Sequence, residues 1–195
     1  ANSMDIDTRK EQLDQRINSA ARRAGRDPSE IRLLAVSKTR SAFTIRTLAS
    51  LGQKAFGENY LQEALDKIQQ LADLELEWHF IGQIQRNKTA AVAANFDWVQ
   101  SIDRLIIAER LSAQRPTDKK AINVCIQVRM SQETGKGGVL PEDLLPLAEA
   151  INSLPGIVMR GLMAIPENTT DPEKLKMAFR EMYRFRELMA DHYKV

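Results

Sequence analysis

Ala121-Ile122-Asn123-Val124-Cys125-Ile126-Gln127-Val128-Arg129-Met130 is the clearest strand signal in the chain. It is short, apolar and rich in β-branched residues, the composition of a strand buried on both faces. Amphipathic stretches flank it. Residues 104–114 read as a helix before it, and residues 141–153 as a helix after it, with Pro141 in the first turn, where a missing N–H costs nothing. The same alternation continues outward. Towards the N-terminus, strands at 98–102, 76–81, 54–57 and 31–36 alternate with helices at 87–95, 60–71 and 42–51, the last stopped by Gly52. A further helix at 8–25 leads the chain. Towards the C-terminus, a strand at 157–164 precedes a long helix at 171–193. Six strand-then-helix units in a row predict an α/β fold with parallel strands covered by helices. Two architectures satisfy that pattern, an open doubly wound sheet and a (β/α)8 barrel. Periodicity alone puts the open sheet slightly ahead, because a barrel needs eight units.

Composition narrows the functional classes. Of 195 residues, 43% are hydrophobic and 28% charged, which is a globular rather than a disordered balance. Lys plus Arg is 28 and Asp plus Glu is 26, a net charge of +2, against general nucleic-acid binding. No apolar run reaches the roughly 18 residues that span a membrane. Residues 1–10 are polar and lack an apolar signal core. A cytoplasmic protein with no membrane partner is expected, with Met4 as the natural start and residues 1–3 a remnant. The single cysteine, Cys125, excludes an internal disulfide framework and suits a reducing compartment. With two histidines, His79 and His192, there are too few ligands for a zinc or haem site, and no acidic run has calcium-loop spacing. No metal is expected.

Parallel α/β folds place chemistry at the carboxyl ends of strands. Lys38 ends the first strand and shares a face with Leu34 and Val36, a face expected to be core, so that Lys38 would emerge partly buried at a site mouth. That is a setting for a Schiff base with a carbonyl; the plainer reading is a lysine that snorkels to solvent. The second strand ends in Gly57-Glu58-Asn59-Tyr60, followed by Gln62 and Glu63. These could orient a ligand, but on the residues alone capping, with Asn59 as an N-cap and Glu63 in the first turn, is the favoured reading. On the third strand, His79 could stack on a ligand or be a satisfied core residue. The Gly82 loop with Arg86 and Lys88 would suit an anion. On the sixth, Gly161 would allow close backbone approach and Met163 could line a pocket or be core. Gly135-Lys136-Gly137-Gly138 lacks the earlier glycine and the Ser/Thr of a phosphate loop. Cys125 reads as an inert buried thiol.

Taken together, five segments resemble the YggS/PROSC family, the pyridoxal 5′-phosphate homeostasis proteins. They are Leu34-Ala35-Val36-Ser37-Lys38-Thr39, Phe56-Gly57-Glu58-Asn59-Tyr60-Leu61-Gln62-Glu63, Glu77-Trp78-His79-Phe80-Ile81-Gly82, Gln85-Arg86-Asn87-Lys88 and Arg160-Gly161-Leu162-Met163-Ala164-Ile165-Pro166. The resemblance implies a TIM (β/α)8-type barrel like the alanine racemase N-terminal domain, with about six βα units in this chain and strands seven and eight missing. It implies one barrel domain over 1–195, incomplete at its C-terminus relative to the family. It implies pyridoxal 5′-phosphate as cofactor, held as an internal aldimine on Lys38, with Asn59, His79 and Met163 at cofactor-facing strand ends. It further implies a monomeric, non-catalytic carrier that serves pyridoxal phosphate-dependent apo-enzymes; the alternative is a racemase-like enzyme acting on a small amino acid. The family differs at Gln83-Ile84, Arg86 and Arg129. It also carries phosphate-gripping segments beyond the position of Val195, so weak cofactor binding is expected if the chain ends there.

Overall fold

The computed structural model describes residues 3–130 and 137–193. Gly135 and Lys136, of the glycine-rich stretch, lie outside the described residues, as do Ala1 and Asn2. The chain divides into two compact units, Ala1–Glu77 and Trp78–Val195.

The first unit opens with helix α1 (Ser3–Arg23), then strand β1 (Ala35–Val36), helix α2 (Ala42–Ser50), strand β2 (Ala55–Glu58) and helix α3 (Leu61–Gln70). Helix α2 begins where Ser41 accepts a hydrogen bond from the Thr44 N–H at 3.1 Å. It ends at Gly52, whose φ of +97° is the left-handed conformation that favours glycine. Strands β1 and β2 pair in parallel, Ala35 opposite Phe56 and Val36 opposite Gly57. Ile45, Phe56, Ala64 and Leu71 form the unit's apolar core.

Strand β3 (Glu77–Phe80) starts at the unit boundary. In the second unit it is followed by helix α4 (Thr89–Asn95), strand β4 (Trp98–Ile102), helix α5 (Leu105–Gln114), strand β5 (Ile122–Gln127), helix α6 (Leu144–Asn152), strand β6 (Ile157–Met163) and helix α7 (Pro172–Ala190). Neighbours in the sheet are neighbours in the chain: β3 pairs with β4, β4 with β5 and β5 with β6, all in parallel. The order 3-2-1-4-5-6 of a dinucleotide-binding doubly wound sheet would separate β3 from β4. Strand β5 is buried at every position except Asn123, as its unbroken apolar run predicts. Val124 and Ile126 of β5, with Val99, Ile102, Leu111 and Leu144, form the unit's apolar core. Among the described residues no helix is long and apolar enough to cross a membrane.

Burial pushes the Cys125 thiol up from its ordinary 9.0 to about 12. The folded thiol thus keeps its proton to higher pH than the unfolded one, so its stabilisation is whole below about pH 9 and is lost as pH rises towards 12. Across that window the wild type should lose up to about 1.4 kcal/mol per pH unit more than Cys125→Ala, read from paired denaturant titrations. Equal slopes would contradict the buried thiol.

Candidate functional site

Lys38 and Asn59 follow β1 and β2, the two strands that pair in the first unit. Lys38 lies two residues past β1, in a turn closed by the Arg40 N–H donating to the Ser37 carbonyl at 3.0 Å, and Asn59 directly follows β2. The Ser37 N–H donates to the Gly57 carbonyl at 2.9 Å, which continues the pairing. Ser37 and Glu58 precede Lys38 and Asn59, and they turn to the helix side. The Ser37 hydroxyl donates to the Glu58 carboxylate, and Lys67 Nζ of α3 lies 3.0 Å from Glu58 Oε1.

The expected core face of β1 is therefore corrected. Val36 is 52% exposed, whereas Ser37 is 3% exposed. The face that β1 buries is the one that meets the Glu58–Lys67 pair beneath α3, not the face of Leu34 and Val36. Lys38 itself is exposed rather than partly buried.

Glu58 is fully buried and Lys67 is 4% exposed. Lys67 Nζ also donates to the Ser37 carbonyl at 2.7 Å and lies 3.2 Å from Glu63 Oε1. Glu63 Oε1 in turn accepts the Thr39 N–H at 2.7 Å. Thr39 has φ of +63°, the one non-glycine residue with positive φ among those described. A β-branched residue there is strained by roughly 1–3 kcal/mol, and such strain concentrates at ligand-holding turns.

Asn59 does not cap α3. The cap position falls to Tyr60, with no side-chain cap bond. Instead the Asn59 Oδ1 atom is buried without a hydrogen-bond partner. A buried amide oxygen left so costs about 1–3 kcal/mol, and rotation of the amide can exchange oxygen for NH2 at that place. A polar group on a bound ring would satisfy it. An exposed amine after β1 and an orphaned amide after its partner strand β2 fit a phosphorylated aromatic aldehyde such as pyridoxal phosphate: the amine for the aldehyde, the amide for a ring substituent.

The second unit holds the other two expected residues. His79 is 5% exposed on β3. Its ring stacks on Trp98, its register partner, with centroids 5.1 Å apart and planes 11° apart. Its Nδ1 lies 2.9 Å from Gln100 Nε2. The satisfied-core alternative for His79 thus describes its setting. Met163 ends β6, half-buried opposite Gln127. Two strands, β4 and β5, stand between His79 and Met163 in the sheet. Arg86 and Lys88 are exposed in a single 3-10 turn before α4.

The Glu58–Lys67 pair and the strained Thr39 were not singled out by sequence reading. Two signals pointed to the pair. One is a glutamate closing the otherwise apolar strand Ala55-Phe56-Gly57-Glu58. The other is Lys67, three residues after Ala64 on the apolar face of α3.

Residues 9–194 match the family described as alanine racemase, N-terminal domain. The chain is 54% identical over 176 residues to a protein of Pseudomonas aeruginosa named pyridoxal phosphate homeostasis protein, covering 90% of this chain and 75% of that one. It is 33% identical to PipY of Synechococcus elongatus, solved with PLP bound, with a TM-score of 0.77, covering 89% of this chain and 81% of that one. An alanine racemase from Corynebacterium glutamicum superposes with a TM-score of 0.59 at 22% identity, over 82% of this chain and 46% of that one, a likeness of fold alone. These likenesses decide the fold class left open by periodicity. It is the alanine racemase N-terminal type, with six parallel βα strands of a partial TIM barrel, and not the doubly wound sheet.

Proposed function

We propose that this chain, which belongs to the family of pyridoxal phosphate homeostasis proteins, binds pyridoxal phosphate and holds it through a Schiff base on Lys38. The observation that carries the reading lies at the ends of the paired strands β1 and β2: an exposed lysine after the one, and after the other an asparagine whose buried Oδ1 has no partner. The likeness to PipY, solved with PLP bound, supports the same ligand.

The bound group supplies an aldehyde carbon. The Lys38 amine would hold it by a reversible condensation that releases one water. Asn59 orients the ring by the amide that the protein leaves unsatisfied. His79 and Met163 are proposed as further ring contacts on the strength of the family resemblance. Exchange with another amine reverses the bond, so Lys38 can keep a reactive aldehyde from stray amines and still release it. That is the chemistry of a carrier, and the relatives are named as homeostasis proteins rather than enzymes. We further propose apo-enzymes that use the same cofactor as recipients, a monomeric state and a cytoplasmic location.

The test is an absorbance titration with pyridoxal phosphate, followed by incubation of the loaded protein with alanine in deuterated water. A visible absorbance band with no deuterium at the alanine α-carbon is the expected result. The absence of a band would overturn the binding. Deuterium incorporation dependent on the protein would overturn the carrier role in favour of a racemase-like enzyme.

A further inference from the structure

We propose that Glu63, backed by the buried Lys67, is a positioning residue for Lys38: it locks the turn at Thr39 and so fixes the direction in which Lys38 leaves β1. The inference rests on the reading of Lys38 as the Schiff-base lysine and deepens it.

The geometry is local and complete within the first unit. Peptide units are planar, so the orientation of Lys38 is set by the two planes that flank its Cα. The plane before it contains the Ser37 carbonyl, which accepts from Lys67 Nζ at 2.7 Å. The plane after it contains the Thr39 N–H, which donates to Glu63 Oε1 at 2.7 Å. Both planes are therefore held, and with them φ and ψ of Lys38 and its Cα–Cβ direction. Lys67 and Glu63 sit at i, i+4 on α3 and touch each other at 3.2 Å, so one charged chain grips both sides of the lysine. Lys67 is anchored in turn by Glu58, 3.0 Å away and fully buried.

The clamp also accounts for the conformation of Thr39. A threonine at φ +63° persists only where its surroundings over-determine it. The Glu63 hydrogen bond supplies that restraint together with the Arg40 N–H, which donates to the Ser37 carbonyl at 3.0 Å. Released, Thr39 returns to extended or right-handed backbone, the second plane turns, and the amine of Lys38 samples many directions. A nucleophile held in the reacting direction gains rate over one that must search for it.

Glu63 is half-buried on α3, outside the apolar core, so its replacement spares that core. The test compares the wild type, Glu63→Ala and Glu63→Gln. Each is checked by thermal unfolding, by amide exchange at Thr39 in the ligand-free chain, and by the initial rate of borohydride trapping of pyridoxal phosphate on Lys38. Glu63→Ala should unfold at nearly the wild-type temperature, exchange the Thr39 amide about tenfold faster and trap Lys38 about tenfold more slowly. Glu63→Gln keeps an oxygen acceptor and should stay within about threefold of wild type on both measures. Wild-type trapping by Glu63→Ala, or loss in Glu63→Gln as deep as in Glu63→Ala, would overturn the positioning role while leaving the Lys38 reading intact. A wild-type chain that traps no cofactor on Lys38 would overturn that reading and the inference with it.

Discussion

Lys67→Met is expected to destabilise the first unit by about 3–5 kcal/mol, the range for breaking a buried ion pair by removing one partner. Glu58 is wholly buried, and its carboxylate is satisfied by Lys67 and by the Ser37 hydroxyl. Methionine reproduces the aliphatic stem of lysine, so little packing is lost. What is lost is the charge, which leaves a buried carboxylate with one hydroxyl donor, and the donor to the Ser37 carbonyl. The double variant Glu58→Met/Lys67→Met removes both charges and should recover more than half of the loss, since apolar side chains of similar volume often replace a buried pair at little cost. Denaturant unfolding read at the midpoint measures both. A single-variant loss below about 1 kcal/mol would contradict the buried pairing.

Lys38→Ala is the second large effect, and it is the opposite kind. Lys38 is exposed and belongs to no ion pair among those found in the described residues, so stability should change by no more than about 0.5 kcal/mol. Binding should collapse: no visible band and no borohydride-stable adduct at any cofactor concentration at which the wild type is saturated. Lys38→Arg keeps the charge but cannot form a Schiff base and should fail equally. Retention of the band in either variant would remove Lys38 from the site. The two substitutions together separate the network that builds the turn from the amine that the turn presents.

How far the sequence carried this account differs from element to element. Strand β4 lies at 98–102 as read, a short segment bordered by Asp97 and Asp103. The first strand, read over 31–36, shrinks to Ala35–Val36, since pairing with β2 begins only at Ala35. The helix read over 141–153 opens with a 3-10 turn at Pro141–Asp143 before α6, a tightening common at helix starts. Lys38 and Asn59 are proposed for the site because strand ends attract chemistry and because the motifs around them resemble a known family. Their supports were not legible in the sequence. A threonine forced to positive φ leaves no trace in composition. A buried Glu58–Lys67 pair looks, nine residues apart on a strand and a helix, like two ordinary surface charges until the strand pairing turns both inward. The expected face of β1 failed for the same reason: Leu34 and Val36 looked like core, while Ser37 had the partner that made burial favourable.

The central claim is that one lysine, Lys38, carries the cofactor. The most direct measurement is a peptide mass map of the wild-type chain after incubation with pyridoxal phosphate and reduction with borohydride. The account predicts a single dominant pyridoxyl mass on the peptide containing Lys38. Label spread across other lysines, or concentrated on one of them with Lys38 unmodified, would contradict it.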